Sequence, residues 1–152
     1  MAVVGRIGPG AEGFYTAEVR DGKGRSGFEI ITLAGERRMM ASKALKSSCR
    51  VGTYGVDVEA IDQLAAGSVE EALKGSDIIV IDEIGKMEMF SEKFKASVLK
   101  ALDSDKPVIG VILEPRHPFA DLIKSRKDVR LVEVTLENRD RIPGIIKKLM
   151  EK

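Results

Sequence analysis

The chain has 152 residues, of which 43% are hydrophobic and 32% charged, with a formal net charge of +1. That is enough for one ordinary folded domain, and the balanced charge excludes a strong field steering it towards nucleic acid or an anionic membrane. Cys49 is the only cysteine, which excludes an internal disulfide and suits a reducing compartment.

No apolar run approaches the roughly 20 residues of a membrane span, and the opening residues carry no leader pattern. A single cytoplasmic domain over 1–152, with no membrane partner, is the expectation. Residues 13–20 ("GFYTAEVR") and 26–33 ("SGFEIITL") predict a hairpin around Asp21-Gly22-Lys23-Gly24, because Asp-Gly between alternating strands favours a tight turn. "AGE" (34–36) then turns the chain into a third strand, "RRMMAS" (37–42).

Beyond Asp57 helix and strand alternate. Val58, Ile61, Leu64 and Ala65 share one helical face. Gly67 is expected to break that helix and Ser68 to restart it, since "SVEE" (68–71) is a capping box in which Glu71 reaches back to the Ser68 backbone. Gly75 should end it in a left-handed conformation. A strand is expected over 77–82, then a helix from Ser91 with Phe94, Val98, Leu99 and Leu102 inward. Further expectations are a strand over 106–113, a short helical stretch near 118–125 and a strand over 130–134 ("RLVEV"). Ile142, Ile145, Ile146, Leu149 and Met150 mark a closing helix that Pro143 kinks or starts.

This order predicts an α/β fold: a mainly parallel sheet with helices on both faces and an N-terminal antiparallel hairpin extension. Ligands of such sheets sit beyond the carboxyl ends of the strands. There the most apolar strand, Ile78-Ile79-Val80-Ile81, delivers Asp82 and Glu83. A hydrophobic strand ending in two acids is the Walker B pattern. One carboxylate meets Mg²⁺ directly or through its waters, and its neighbour polarises a water for attack on the γ-phosphate. A strand running out into solvent gives the same letters, so the motif alone leaves both readings open.

"VIDEIGKMEMF" (80–90) resembles the hallmark of a small family of P-loop nucleoside-triphosphatases first known from thermophiles, with an animal cancer-related member. "GFYTAEVR…GFEIITLAGE" (13–36), "VGTYGVDV" (51–58) and "TLENRD" (135–140) match in the same order. The resemblance implies a RecA-like P-loop NTPase fold and slow hydrolysis of ATP, GTP and other nucleoside triphosphates with Mg²⁺. Asp82 would be the magnesium ligand and Glu83 the catalytic residue that orients or deprotonates the water. The nucleotide site would run along Ile78, Ile79, Val80, Ile81, Asp82, Glu83, Ile84 and Gly85.

The phosphate loop departs from that pattern. Gly5, Gly8 and Gly10 in "GRIGPG" (5–10) satisfy the first six positions of GxxxxGK[ST], but Ala11 and Glu12 stand where Lys and Ser/Thr belong. Ala offers no cation to the outer phosphates, and Glu brings a negative charge. Only Ala11 and Glu12 separate Gly10 from the strand expected at Gly13, whereas a parallel crossover needs about a dozen residues. The break falls directly after a complete GxxxxG, which fits loss of a segment better than gradual decay. A second reading follows: a non-catalytic relic that binds nucleotide weakly or serves as an interaction module. A kinase on the same fold ranks last, for want of an acceptor-site signature.

Four other features bear on function. Lys86 either reaches the triphosphate or pairs with Glu83. Arg116 is a candidate arginine finger, and its neighbour His117 reads as a structural loop residue. Arg139 either lies near the base or pairs with Asp140. Glu88 reads as a helix-leading acid, with Met87, Met89 and Phe90 as core. The stretch 35–50 sets Arg37, Arg38, Lys43, Lys46 and Arg50 against Glu36; it reads as a solvated face, with nucleic acid a minor option.

Overall fold

The structure is a computed structural model that describes residues 9–151. Packing divides the chain into two compact units, one of Gly10–Pro115 and one that includes Arg116 onward. In the larger unit seven strands form one sheet: β1 (Ala11–Asp21), β2 (Gly24–Thr32), β3 (Arg37–Ser42), β4 (Arg50–Val51), β5 (Tyr54–Val56), β6 (Ile78–Ile84) and β7 (Val108–Ile112), in the order β4-β5-β3-β2-β1-β6-β7.

The hairpin forms as expected, with Asp21 opposite Gly24 around Gly22-Lys23. The Asp21 carboxylate accepts from the Lys23 N–H at 2.7 Å, and Gly24 takes φ +118°, a conformation L side chains rarely adopt. The hairpin is no separate flap. β1 pairs antiparallel with β2 and parallel with β6, so the extension and the α/β core are one sheet. The α/β class holds; its parallel part is β1, β6 and β7, and the remaining pairs are antiparallel.

Helix α1 spans 58–75 as Val58–Ala60, a π-helical stretch Ile61–Ala66, and Gly67–Gly75. Asp57 caps it by accepting from the Ala60 N–H at 3.1 Å. The expected break is not there. Gly67 is helical (φ −59°, ψ −42°), and the Ser68 hydroxyl donates to the Ala65 carbonyl at 3.0 Å, so no capping box forms. Ala65, Ala66, Val69 and Ala72 are all buried, and that continuous apolar face favours one helix over the local stop signal. Gly75 does not turn left-handed either. The chain leaves through extended Ser76, whose N–H and hydroxyl both donate to the Ala72 carbonyl.

Helix α2 (Glu92–Asp103) begins at Ser91, whose hydroxyl accepts from the Phe94 N–H at 3.0 Å. Its buried face is Phe94, Ser97, Val98 and Ala101; Leu99 and Leu102, expected inward, are half-buried.

The second unit contains α3 (Pro118–Lys124) and α4 (Ile142–Met150). Pro143 starts α4 rather than kinking it, because Pro suits the first turn, where its missing N–H would find no partner. Ile142 is buried with it, but Ile145 is exposed. The strand expected over 130–134 does not form. Leu131 and Val134 are 54% and 61% exposed, and no ladder partner exists for this segment among the described residues. Among those residues no helix is long and apolar enough to cross a membrane.

Candidate functional site

β6 lies between β1 and β7, parallel to both, and Ile79, Val80 and Ile81 are almost completely buried. Such a strand is a rigid rod, and its carboxyl end holds the two acids. β6 runs on to Ile84, past the expected end at residue 82. Asp82 pairs with Val111 and Ile84 with Ile112, and the register shifts between them, so Glu83 lies at the irregularity. Asp82 and Glu83 are half-buried. Burial, and then the neighbouring Glu83 charge, push the Asp82 carboxyl up to about 6; burial also raises Glu83.

A third carboxyl belongs to the same cluster. After Gly85 the chain folds into a 3₁₀ turn, Glu88–Phe90, and Glu88 is only 2% exposed. Burial pushes its carboxyl up to about 8, with the Glu83 and Asp82 charges acting in the same direction and the backbone N–H groups of Glu88 and Glu83 opposing. Its Oε2 is buried without a hydrogen-bond partner. A Cβ added to Gly85 would stand 3.1 Å from an Oε1 of Glu83 and 3.1 Å from an Oε1 of Glu88. Glycine there lets the two carboxyls converge. Glu88 does lead the 3₁₀ turn, as expected of a helix-leading acid, but it is also buried against Gly85, which that reading did not include. The signal was an acid inside an apolar segment, Met87-Glu88-Met89-Phe90, of which Met89 is buried and Phe90 exposed.

The remaining nucleotide-site expectations fare unevenly. Gly5 and Gly8 lie outside the described residues. Gly10 is not with the acids: its carbonyl accepts from the N–H groups of Asp77 (2.8 Å) and Ile78 (3.4 Å). That is the amino end of β6, five residues before Asp82, or roughly 16 Å along a strand. Glu12 pairs with Ile79 inside β1, so its charge is not beside the acids either. It lines a pocket of about 300 Å³ with Glu36 and Glu71, three carboxylates that would repel a triphosphate.

Ile79, Val80 and Ile81 are too deeply buried to touch a nucleotide. Ile78 starts the strand at the end away from the acids, and Ile84 and Gly85 are buried. Lys86 is exposed and has no ion pair with Glu83 among the described residues. Arg116 is 91% exposed and its Nε donates to Asp121 at 2.8 Å within its own unit, where α3 supplies the compensating charge. His117 is structural, as expected: its Nδ1 accepts from the Phe119 N–H at 3.2 Å and caps α3. Arg139 sits in the turn before α4, its N–H donating to the Thr135 carbonyl, with no ion pair to Asp140 among the described residues.

Four of the five basic residues of that stretch find partners within the larger unit. Arg37 pairs with Glu29 and Arg38 with Asp57. Lys43 lies over the Tyr54 ring at 5.8 Å, and Arg50 donates to the carbonyls of Leu45 and Thr53.

Mg²⁺ takes oxygen ligands, and nucleotide sites hold it with one or two carboxylates plus phosphates and waters. Asp82, half-buried at the end of a rigid strand, fits that donor chemistry. A dedicated cage of three or more ligands does not exist among the described residues.

A family model described as NTPase matches residues 3–147. The chain belongs to that NTPase family. It is 44% identical to nucleoside-triphosphatase THEP1 of Thermotoga maritima over 135 residues, 89% of this chain and 78% of the relative. It is 41% identical to the human cancer-related nucleoside-triphosphatase, over 89% of this chain and 78% of that one. The crystal structure of THEP1 from Aquifex aeolicus superposes with a TM-score of 0.86 at 39% identity, covering 99% of this chain and 90% of the other. The solution structure of the human protein gives 0.80 at 37% identity, covering 98% and 86%. The family read from "VIDEIGKMEMF" is thus the family found, and the fold class with it. The sequence alignment with the Aquifex THEP1 is 159 positions long, more than the 152 residues here, so that NTPase carries residues this family member lacks.

Proposed function

We propose that this chain hydrolyses nucleoside triphosphates, ATP and GTP among them, to the diphosphate and phosphate, as a Mg²⁺-dependent cytoplasmic enzyme. The observation that carries the reading is the Asp82–Glu83 pair, half-buried at the carboxyl end of a rigid central strand in an NTPase-family chain. Asp82 would hold the metal, which when bound neutralises charge developing on the phosphates. Glu83 orients the attacking water and accepts its proton. Its upward-shifted carboxyl makes it a better proton acceptor than a free glutamate. The Lys of the phosphate loop is missing, and loss of one such preorganised cation costs about a hundred- to a thousandfold in rate, so turnover is slow.

The test compares wild type with Glu83→Gln for phosphate release and for nucleotide binding. The variant should bind nucleotide normally and release no phosphate. Equal turnover in the two proteins would sink the assignment.

The absence of Lys at position 11 favours one other reading, a relic that binds nucleotide weakly or acts as an interaction module. Mg²⁺-dependent ATP binding separates the two, since a relic shows little. Glu12→Lys is not a useful rescue, because Glu12 belongs to β1 opposite Ile79.

A further inference from the structure

We propose that Glu88 is a positioning residue for Glu83: its carboxyl, converging on the same glycine, holds the Glu83 carboxylate at the end of β6. The inference depends on the hydrolysis reading only for its kinetic consequences.

The starting point is a cost. A buried polar atom without a partner destabilises a fold by about 1–3 kcal/mol, and Glu88 Oε2 is such an atom. Leucine would fill a similar volume without that penalty. Nothing about α2 requires an acid at this position either, because Ser91 caps the helix.

What the carboxyl offers is chemistry towards its neighbour. Glu88 is almost completely buried, and burial disfavours its charged form. Glu88 is the more buried of the two and keeps the proton, which makes it a hydrogen-bond donor. The acceptor that shares its side of Gly85 is Glu83 Oε1. One oxygen of Glu83 is thereby steered.

The mount is stiff. The Glu88 carbonyl accepts from the Ser91 N–H at 3.0 Å, and the Gly85 carbonyl from the Met89 N–H at 3.1 Å. Ser91 Oγ donates in turn to Asp62, in the π-helical stretch of α1. A backbone pinned at both ends suits a group whose task is to hold another in place.

The experiment uses the full chain with Glu88→Leu, Glu88→Gln and Gly85→Ala, each examined by crystallography without nucleotide and by steady-state kinetics. Gln keeps the shape and a donor. Leu keeps only volume. Ala leaves Glu88 intact but wedges a methyl group between the carboxyls. Expected are a displaced Glu83 side chain in the Leu and Ala variants and a retained one in the Gln variant. kcat should fall about ten- to a hundredfold in the first two with KM unchanged, and stay within about threefold in the third. Glu88→Leu should melt no lower than wild type, which separates this from a folding defect; if it does not fold, Gly85→Ala decides. A Glu83 that stays in place in both the Leu and the Ala variants overturns the proposal, as does an undiminished kcat in both. Absence of turnover in wild type would instead refute the hydrolysis reading, and the position of Glu83 would still decide this one.

Discussion

Phe14 of β1 meets Phe94 of α2 edge to face, with ring centroids 5.8 Å apart at an interplanar angle of 75°, and both side chains are fully buried. β1 is also the strand through which the antiparallel hairpin and the parallel strands become one sheet. The contact therefore locks α2, and the turn before it that carries Glu88, onto the middle of the sheet.

Phe94→Ala should cost about 3–5 kcal/mol, the usual range for removing a buried aromatic side chain. Urea unfolding at constant m-value measures it. A loss below about 1 kcal/mol would mean that α2 is held elsewhere.

Ser91 does two jobs with one hydroxyl, capping α2 through the Phe94 N–H and donating to Asp62. Ser91→Ala should lose about 1–2 kcal/mol, more than a cap alone commonly contributes, because a part-buried carboxylate loses its donor as well. In a double-mutant cycle with Asp62→Asn, a coupling near zero would show the two residues to be independent.

Glu88 gives stability a pH dependence of defined sign. Its carboxyl titrates at about 8 in the folded chain against an ordinary 4.5, so the native state binds the proton more tightly than the unfolded chain does. The associated stability is complete below about pH 4.5 and is lost as pH rises towards 8, at up to about 1.4 kcal/mol per pH unit. Asp82, raised to about 6 from 3.8, contributes in the same direction over a lower window. Without Mg²⁺, wild type should lose clearly more stability between pH 5 and pH 8 than Glu88→Gln does, as read by chemical denaturation at each pH. Parallel profiles for the two proteins would remove Glu88 from the account.

Much of the architecture was legible in local pattern. The Asp-Gly turn, the alternating strands around it, the Ser91 cap and the apolar run ending in Asp82-Glu83 are short-range features, and each appears where the residues place it. Local signals misled where long-range burial opposed them. Gly67 and Ser68 read as a stop and a restart, yet the buried stripe Ala65–Ala66–Val69–Ala72 carries the helix straight through. Residues 130–134 have strand composition, but a strand needs a neighbour, and composition does not supply one.

The site divides along the same line. By itself the sequence determined the family, the two acids and the lack of a phosphate-loop lysine, because each is a matter of which residue follows which. Only the tertiary structure decided that Gly10 sits against Asp77, at the far end of β6 from the acids, since that depends on the register between two strands distant in the chain. It also decided that the buried Glu88 carboxyl comes up against Gly85 together with that of Glu83. Burial is a property of everything that packs around a side chain, and it is burial that turns an ordinary surface acid into a third carboxyl of this site.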